Sequence, residues 1–175
     1  MRRAAHVIYA AAQAEACPIA DNRIDLVTVA QALHWFDLAR FYAEVRRVLS
    51  PKGAIAAWCY GEVSVDPVVD DVIRHFYSDV VGPYWPPQRR HVEEGYRDLP
   101  FPFVETMAPP FEMAQQWTAD DLVAYVGTWS ATQRYVTATG TDPLPAMRQA
   151  LAAVWPDAAA RRVSWPLHLR VGTLD

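Results

Sequence analysis

The stretch that decides the fold is residues 24–37, which read IDLVTVAQALHWFD. Its first seven residues, 24–30, form an apolar run that predicts a strand buried on both faces, as is typical of parallel sheets covered by helices. Polar and aromatic residues follow at 31–35, before a helix begins at Asp37. Because ligands bind at the carboxyl ends of parallel strands, we expect residues 31–35 to face a ligand.

The residues that follow predict a strand–helix–strand unit ending at residue 60. Asp37 is a good N-cap, and apolar residues recur at helical spacing between 38 and 49. Ser50-Pro51-Lys52-Gly53 predicts the end of this helix, and residues 54–60 read as a second buried strand. We therefore expect a right-handed parallel crossover and an α/β fold.

Weaker patterns precede this unit. Residues 6–9, HVIY, predict a short strand, and residues 10–16 predict a helical turn by propensity. Residues 17–22 read as a turn that leads into the strand at 24.

After residue 61 the pattern changes. Asp66 caps a helix with Pro67 at its first position, and Gly82-Pro83 ends it. Residues 84–110 are rich in proline and aromatic side chains and too apolar for a linker. They predict a lid or cap segment, with a short strand at residues 103–107.

The last third of the chain predicts further strands and helices. In chain order these are a strand at 111–117, a helix opened by a capping-box pattern at 118–121, a polar loop at 130–141, a helix opened by Asp142-Pro143, and an alternating strand at 163–171. Pro166 lies inside the final strand. Because proline removes a ladder donor, it favours an edge position or a bulge there.

The composition is that of an ordinary globular chain. At 175 residues, with 52% hydrophobic and 21% charged residues, it fits one domain with a real core. The net charge of −4 argues against nucleic acid or an anionic membrane as the main partner. The arginine pairs are interspersed with acids and predict solvated faces. They are Arg2-Arg3, Arg46-Arg47, Arg89-Arg90 and Arg161-Arg162.

The two cysteines indicate the compartment. Cys17 and Cys59 have neither metal-ligand spacing nor a disulfide framework, so we expect no metal and a reducing cytoplasm. No apolar run approaches the roughly 20 residues of a membrane span. Residues 1–16 lack the apolar centre of a signal peptide. We therefore expect a cytoplasmic protein.

Two sets of motifs carry a family resemblance. Residues 31–36, QALHWF, and 41–53, FYAEVRRVLSPKG, resemble class I S-adenosylmethionine-dependent methyltransferases of the type-11 group. Residues 95–103, GYRDLPFPF, and 128–131, TWSA, are similar to the trans-aconitate methyltransferase subgroup. The resemblance implies methyl transfer with S-adenosylmethionine as cofactor.

The resemblance also implies a Rossmann-like sheet with the strand order 3-2-1-4-5-7-6 and an antiparallel last strand. By this resemblance, residues 7–9 would be the third strand and residues 24–30 the fourth. Residues 55–60 would be the fifth strand, and residues 163–171 the seventh.

One departure from the family pattern concerns the cofactor site. The family uses a glycine-rich turn after strand one and an acidic residue after strand two, yet no glycine precedes Gly53 here. We therefore expect a single incomplete domain over residues 1–175, without strands one and two and with a cap at 62–110. The strand at 24–30 would then be an exposed edge, open to pairing with another chain.

The resemblance places the cofactor near two segments, and its candidate contacts are Glu15, Ala16, Gln31, Ala32 and Trp35. For Gln31 and Ala32 the alternative is strand-end packing, and for Glu15 it is a solvated acid at a helix end. His34 is a candidate general base, because the pKa of imidazole suits neutral pH. The alternative for His34 is an orienting or structural role.

The substrate candidates lie later in the chain. Tyr60 ends a strand and points to the substrate side by the carboxyl-end rule. If the cap closes over the sheet, Arg134 could pair with a substrate carboxylate through its bidentate fork. The alternative for each candidate is a core or surface position. The full set is Tyr60, Trp85, Tyr96, Trp129, Arg134 and Tyr135.

Two functions therefore stay open. The first is methyl transfer from S-adenosylmethionine to a small-molecule acceptor, with a carboxylate as one candidate class. The second is a non-catalytic remnant or interaction module that binds a partner along the edge of residues 24–30 and does not bind the cofactor alone.

Overall fold

The computed structural model describes residues 7–156 and 158–174. The strands are β1 (Ile24–Ala30), β2 (Leu49–Tyr60), β3 (Val104–Thr106), β4 (Phe111–Trp117) and β5 (Arg161–Thr173). The helices are α1 (Leu38–Val48), α2 (Pro67–His75), α3 (Arg89–Glu93), α4 (Ala119–Gly127), α5 (Ser130–Thr139) and α6 (Leu144–Val154). Short 3-10 segments lie at Leu33–Trp35 and Gly82–Tyr84, and a π-helical segment at Phe76–Val80 follows α2.

The sheet runs in the order β1-β2-β5-β3, and β4 also pairs with β5. Strand β5 is antiparallel to both β3 and β4. This order confirms the predicted neighbours: residues 24–30 lie beside residues 55–60, which lie beside the final strand. The α/β fold class is likewise confirmed.

Strand β1 forms where the apolar run predicts it, but its burial differs from the prediction. Of its seven residues only Val29 is buried, and Leu26 is 55% exposed. The reason is its place in the sheet, because β1 lies at one end of the strand order and has β2 as its neighbour. The prediction of a strand buried on both faces is therefore wrong. The prediction that β1 is an exposed edge because strands one and two are missing stays a prediction.

The segment before β1 differs from the sequence pattern. Residues 7–9 carry no strand, and Ile8 is 95% exposed, so the predicted strand there is wrong; His6 lies outside the described residues. The predicted helical turn at 10–16 is also wrong, since an isolated bridge joins Gln13 to Ala16. The turn at 21–22 forms as predicted, with Asn22 at φ +55°.

Helix α1 begins as its sequence predicts. The Asp37 carboxylate accepts a hydrogen bond from the Arg40 amide at 3.2 Å, and the helix buries an apolar stripe that includes Phe41 and Val45. The helix ends at Val48, next to the predicted stop at 50–53. The strand predicted from residue 54 begins earlier, because residues 50–53 already belong to β2, which starts at Leu49.

The chain divides into two compact units. The first runs up to Ala57 and includes Pro100–Ala108 and the residues from Arg170 onward. The second comprises Trp58–Leu99 and Pro109–Leu169. The prediction of one incomplete domain with a cap at 62–110 stays a prediction.

The second unit has its own apolar core, drawn from helices α2, α4, α5 and α6 and from β5. Several of its residues are completely inaccessible, among them Val69, Leu122 and Val163. The helix starts follow the predicted caps: Asp66 accepts from two α2 amides, and Thr118 and Asp121 form a reciprocal capping box on α4.

Two predictions in the second unit are wrong. Residues 130–139 form helix α5 instead of a polar loop, and Gly140 ends it in the left-handed conformation at φ +70°. Pro166 does not lie at an edge: it pairs with Glu112 of β4, and its carbonyl accepts from the Gly61 amide at 2.8 Å. The strand keeps its pairing there because the proline carbonyl still accepts a hydrogen bond.

Among the described residues, no helix is long and apolar enough to cross a membrane.

Candidate functional site

The turn after β1 has an uncommon backbone. Gln31 takes a positive φ of +54° directly after the strand ends. A residue with a side chain rarely adopts this left-handed conformation, and such strain concentrates at functional sites. The carboxyl end of β1 is therefore a site candidate on backbone geometry as well as on sequence.

The 3-10 turn that follows separates a buried residue from an exposed one. Leu33 is fully buried and anchors the turn, whereas Trp35 is 54% exposed. The half-buried ring of His34 lies against Trp35, with ring centroids 4.8 Å apart. The exposed indole offers a flat surface to a ligand, and the contact with it orients the imidazole.

Glu15 joins the earlier segment to this turn. Its Oε1 atom accepts a hydrogen bond from the Asp37 amide at 3.0 Å. Glu15 is half-buried and lies in a turn, so the alternative that places it at a helix end is wrong in that respect. The structure thus brings residue 15 to the loop that carries Gln31, Ala32 and Trp35.

An arginine on α1 holds the residues after Glu15. Arg47 donates to both carboxylate oxygens of Glu44, to Asp21 and to backbone carbonyls at residues 17 and 19. Glu44 also accepts from the Cys17 amide at 2.7 Å, and these hydrogen bonds lower the pKa of its carboxyl to about 2. Ala16 borders a shallow, open pocket beside this cluster.

The second unit contains a cavity of about 330 Å³. The cavity is lined by residues just after the end of β2, by residues of α2 and of the π-helical segment, and by residues of α4. The volume lies at the lower end of the range of small-molecule sites. The lining residues are Gly61, Glu62, Val63, Ser64, Asp70, Ile73, Arg74, Tyr77, Arg89, Tyr125, Trp129 and Pro166.

Arg89 is the most enclosed cation of this cavity. Its side chain is 17% exposed, and its guanidinium carbon lies 4.7 Å from the ring centre of Trp85 and 5.5 Å from that of Tyr77. Its Nε atom donates to the Tyr77 hydroxyl at 2.9 Å. Cation–π contacts on two rings thus fix the position of the charge.

Tyr77 connects this arginine to an acid. Its hydroxyl donates to the Glu93 carboxylate while accepting from Arg89. Burial, followed by the hydrogen bond to Glu93, raises the pKa of the Tyr77 phenol far above its usual range. Tyr77 lies in the π-helical segment, and such distortions of a helix are frequent at functional sites.

Tyr125 and Trp129 form an aromatic wall of the cavity. Their ring centres lie 5.8 Å apart in an edge-to-face arrangement, and the Tyr125 hydroxyl accepts from the Trp165 indole at 3.1 Å. Burial raises the pKa of the Tyr125 phenol, so it is neutral at physiological pH. The wall is therefore apolar with one fixed hydroxyl.

The structure brings two of the predicted substrate residues together. The rings of Trp85 and Trp129 lie 5.6 Å apart, and Trp129 lines the cavity. Tyr60 is half-buried against the core of the same unit. These three residues stay candidates for substrate binding.

The other three lie elsewhere in the same unit. Tyr96 is fully buried and has a φ of +62°. Arg134 is exposed on α5, and Tyr135 packs on Tyr84 and lines a separate cavity. None of the three borders the cavity at Arg89.

Sequence reasoning missed Arg89, Tyr77 and Tyr125. The prediction that the Arg89-Arg90 pair forms a solvated face is wrong for Arg89, because aromatic rings cover its guanidinium. The sequence offered one signal of a covered arginine, the high density of aromatic residues between Tyr77 and Trp85. Aromatic rings can cover a nearby guanidinium through cation–π contacts. Within the described part of the chain, no three His, Cys, Asp or Glu side chains gather as metal ligands.

Comparison with known proteins identifies the class. The chain is similar to a solved structure from Anaeromyxobacter dehalogenans, provisionally described as a type II methyltransferase. The two share 45% identity and a TM-score of 0.90 over 98% of this chain and 74% of the other. Residues 1–57 match a family model described as a methyltransferase domain. The fold is thus that of an α/β methyltransferase.

Two curated relatives agree. A protein of Dictyostelium discoideum, provisionally named a methyltransferase, is 28% identical over 94% of this chain and 65% of its own length. An uncharacterised methyltransferase of Mycobacterium tuberculosis is 31% identical over 79% of this chain and 53% of its own length. The chain thus spans between about half and two thirds of the length of these curated relatives. It belongs to the class I S-adenosylmethionine-dependent methyltransferases.

Proposed function

We propose that the protein transfers a methyl group from S-adenosylmethionine to a small molecule that carries a carboxylate. The observation that carries this proposal is the cavity of about 330 Å³ with an enclosed arginine on its wall. A cavity of this size suits a small acceptor. The resemblance of residues 95–103 and 128–131 to trans-aconitate methyltransferases agrees with an acid as the acceptor.

The residues after β1 fit part of a cofactor site. The left-handed backbone at Gln31 and the exposed indole of Trp35 suit the close approach of a flat ligand. No glycine precedes Gly53 in this sequence, so the glycine-rich turn of the family is not among these residues. We propose that Glu15, Ala16, Gln31, Ala32 and Trp35 hold the adenine side of the cofactor.

The chemistry requires positioning more than proton transfer. When bound, S-adenosylmethionine supplies an electrophilic methyl group. A carboxylate is already deprotonated at neutral pH, so the chain needs no general base to activate it. We therefore propose that His34, which lies against Trp35, has an orienting role.

We also propose a cytoplasmic location, with which the two free cysteines, Cys17 and Cys59, agree.

Transfer of label tests this proposal. The chain is incubated with methyl-labelled S-adenosylmethionine and a mixture of small carboxylic acids, and the products are treated with base. We expect label in an organic product from which base releases methanol, as a methyl ester requires. Label in a base-stable product would contradict the carboxylate acceptor, and no transfer to any acid would contradict methyl transfer by this chain.

A second candidate function is an interaction module that binds another chain along β1. The observation in its favour is the exposed edge position of β1, with Leu26 55% exposed. Light scattering after size-exclusion chromatography tests it. An assembly that dissociates when Leu26 is replaced by lysine would support it, and a monomer at high concentration would count against it.

A further inference from the structure

We propose that Arg89 binds the anionic group of the acceptor, with Tyr125 and Trp129 forming the wall against which the acceptor's flat apolar part lies. This inference rests on the proposed function and specifies its substrate class as small aromatic or unsaturated monocarboxylates. In this proposal Arg89 takes the role that the sequence predicts for Arg134.

Arg89 has hydrogen-bonding capacity that its neighbours do not use. A guanidinium carries five N–H donors, and within the described residues only its Nε–H has an acceptor, the Tyr77 hydroxyl. No completely buried side-chain polar atom in the described part of the chain lacks a partner. The Nη atoms are therefore not completely buried, and the residue that carries them borders the cavity.

The charge of Arg89 is held in place before any ligand binds. The ring of Trp85 lies under the guanidinium, and Tyr77 fixes its Nε atom. The Glu93 carboxylate accepts a hydrogen bond from the Tyr77 hydroxyl, and its nearest approach to the guanidinium is 3.9 Å, at Nε. A fixed fork loses little entropy on binding and matches the two oxygens of a carboxylate.

Two acids border the cavity: Glu62, which is exposed, and Asp70, which already has hydrogen-bond partners. Asp70 accepts from the Val65 amide at 2.7 Å and from the Ser64 hydroxyl at 2.7 Å. Arg74, the other cation of the lining, pairs with Asp71 and is largely exposed. Arg89 is thus the enclosed cation left for an incoming anion.

Apolar and aromatic residues also border the cavity, namely Val63, Ile73, Tyr125 and Trp129. Such a wall favours a flat or unsaturated group through stacking and apolar contact. A small planar molecule with a directly attached carboxylate can therefore bind Arg89 with its charge and the aromatic wall with its planar part.

Binding of benzoate, with the neutral isostere benzamide as its comparison, tests the inference. The full chain is titrated without cofactor, and the indole N–H resonance of Trp129 is followed by NMR. We expect benzoate to bind at least tenfold more tightly than benzamide, because a charged hydrogen-bonded pair is involved. Equal affinities for the two ligands would overturn the assignment without any mutation.

Three variants locate the effect. Arg89→Met should weaken benzoate binding by about ten- to hundredfold, and Arg89→Lys should weaken it less because the charge remains without the fork. Arg90→Met, a neighbouring exposed arginine with the same loss of charge, should leave binding unchanged. Equal weakening by Arg89→Met and Arg90→Met would overturn the proposal.

This experiment is separate from the test of methyl transfer. Loss of the benzoate preference with label transfer intact would remove the role of Arg89 and leave the proposed function standing. Selective benzoate binding without any label transfer would support the role of Arg89 and contradict methyl transfer by this chain.

Discussion

Replacing Arg47 with methionine should release the segment before β1 from helix α1. The guanidinium makes five hydrogen bonds within the first unit. They go to Glu44 at 2.9 and 2.7 Å, to Asp21 at 2.5 Å, and to the carbonyls of Ile19 at 2.8 Å and Cys17 at 3.2 Å. The side chain thus joins residues 17–21 to the helix that follows the candidate cofactor turn.

The magnitude follows from these contacts and their exposure. A hydrogen bond to a charged group contributes about 1.5 to 3 kcal/mol, but five bonds from one group are not independent. The Arg47 side chain is 34% exposed, so solvent screens part of each ion pair. We expect the opening equilibrium of this segment to shift by about thirtyfold.

Amide hydrogen exchange measures this opening directly. The Cys17 amide donates to the Glu44 carboxylate at 2.7 Å, and Arg47 holds that carboxylate in place. In Arg47→Met the Cys17 amide should exchange about thirtyfold faster. Arg40→Met is the matched control, because it removes the same charge from an exposed position on the same helix.

Two results would refute this reasoning. Unchanged exchange at Cys17 in Arg47→Met would mean that the arginine does not hold the segment. Equal acceleration in Arg40→Met would mean that the net charge of α1, and not the contacts of Arg47, controls the opening.

Three further predictions concern stability. Gly95→Ala should destabilise the chain by about 2 kcal/mol or more, because φ is +59° and the new Cβ would lie 2.7 Å from the ring of His168 in β5. Gly140→Ala is the control, since φ is +70° but the space around it is open. Thermal unfolding should show a smaller loss of stability for Gly140→Ala than for Gly95→Ala. Thr132→Val removes a buried hydroxyl that donates to an α4 carbonyl at 2.8 Å, and urea unfolding should register a loss of about 1 kcal/mol. The pKa of Glu44 is lowered from 4.5 to about 2, so its contribution is complete above pH 4.5 and disappears as pH falls towards 2. Glu44→Gln should flatten urea stability across that window.

Local signals predicted the parts of the fold that local chemistry controls. The caps at Asp37, Asp66 and Thr118 all form as the sequence indicates, because a cap depends on residues within one turn. The strands predicted at 24–30 and 111–117 likewise form, as β1 and β4. The resemblance also predicted that β1 lies beside β2 and that β2 lies beside β5, and these neighbours are confirmed, whereas the strand it assigned to residues 7–9 does not form.

The sequence predictions are wrong where contacts with residues distant in the sequence determine the structure. Residues 130–139 look polar, yet they form a helix because Ala131 and Thr132 pack into the core of the second unit. Pro166 keeps a central position because its carbonyl meets Gly61, a residue about 100 positions earlier. Pairing at that distance leaves no periodic signal in the sequence.

The candidate site was predictable in outline only. The turn that carries Gln31 and Trp35 was found from the end of an apolar run, a local pattern. The cavity at Arg89 was missed, because the contact of that arginine with Trp85 and Tyr77 depends on a π-helical turn and a later 3-10 turn. Charge pairs in a sequence do not reveal which member is covered.

Calorimetry with S-adenosylmethionine tests most directly the claim that this chain is itself a cofactor-dependent methyltransferase. The purified chain is titrated with the cofactor, and Trp35→Ala serves as the variant with an altered candidate site. We predict a saturating heat that weakens in Trp35→Ala, since the exposed indole is the proposed flat contact. No measurable binding at millimolar cofactor would contradict the claim.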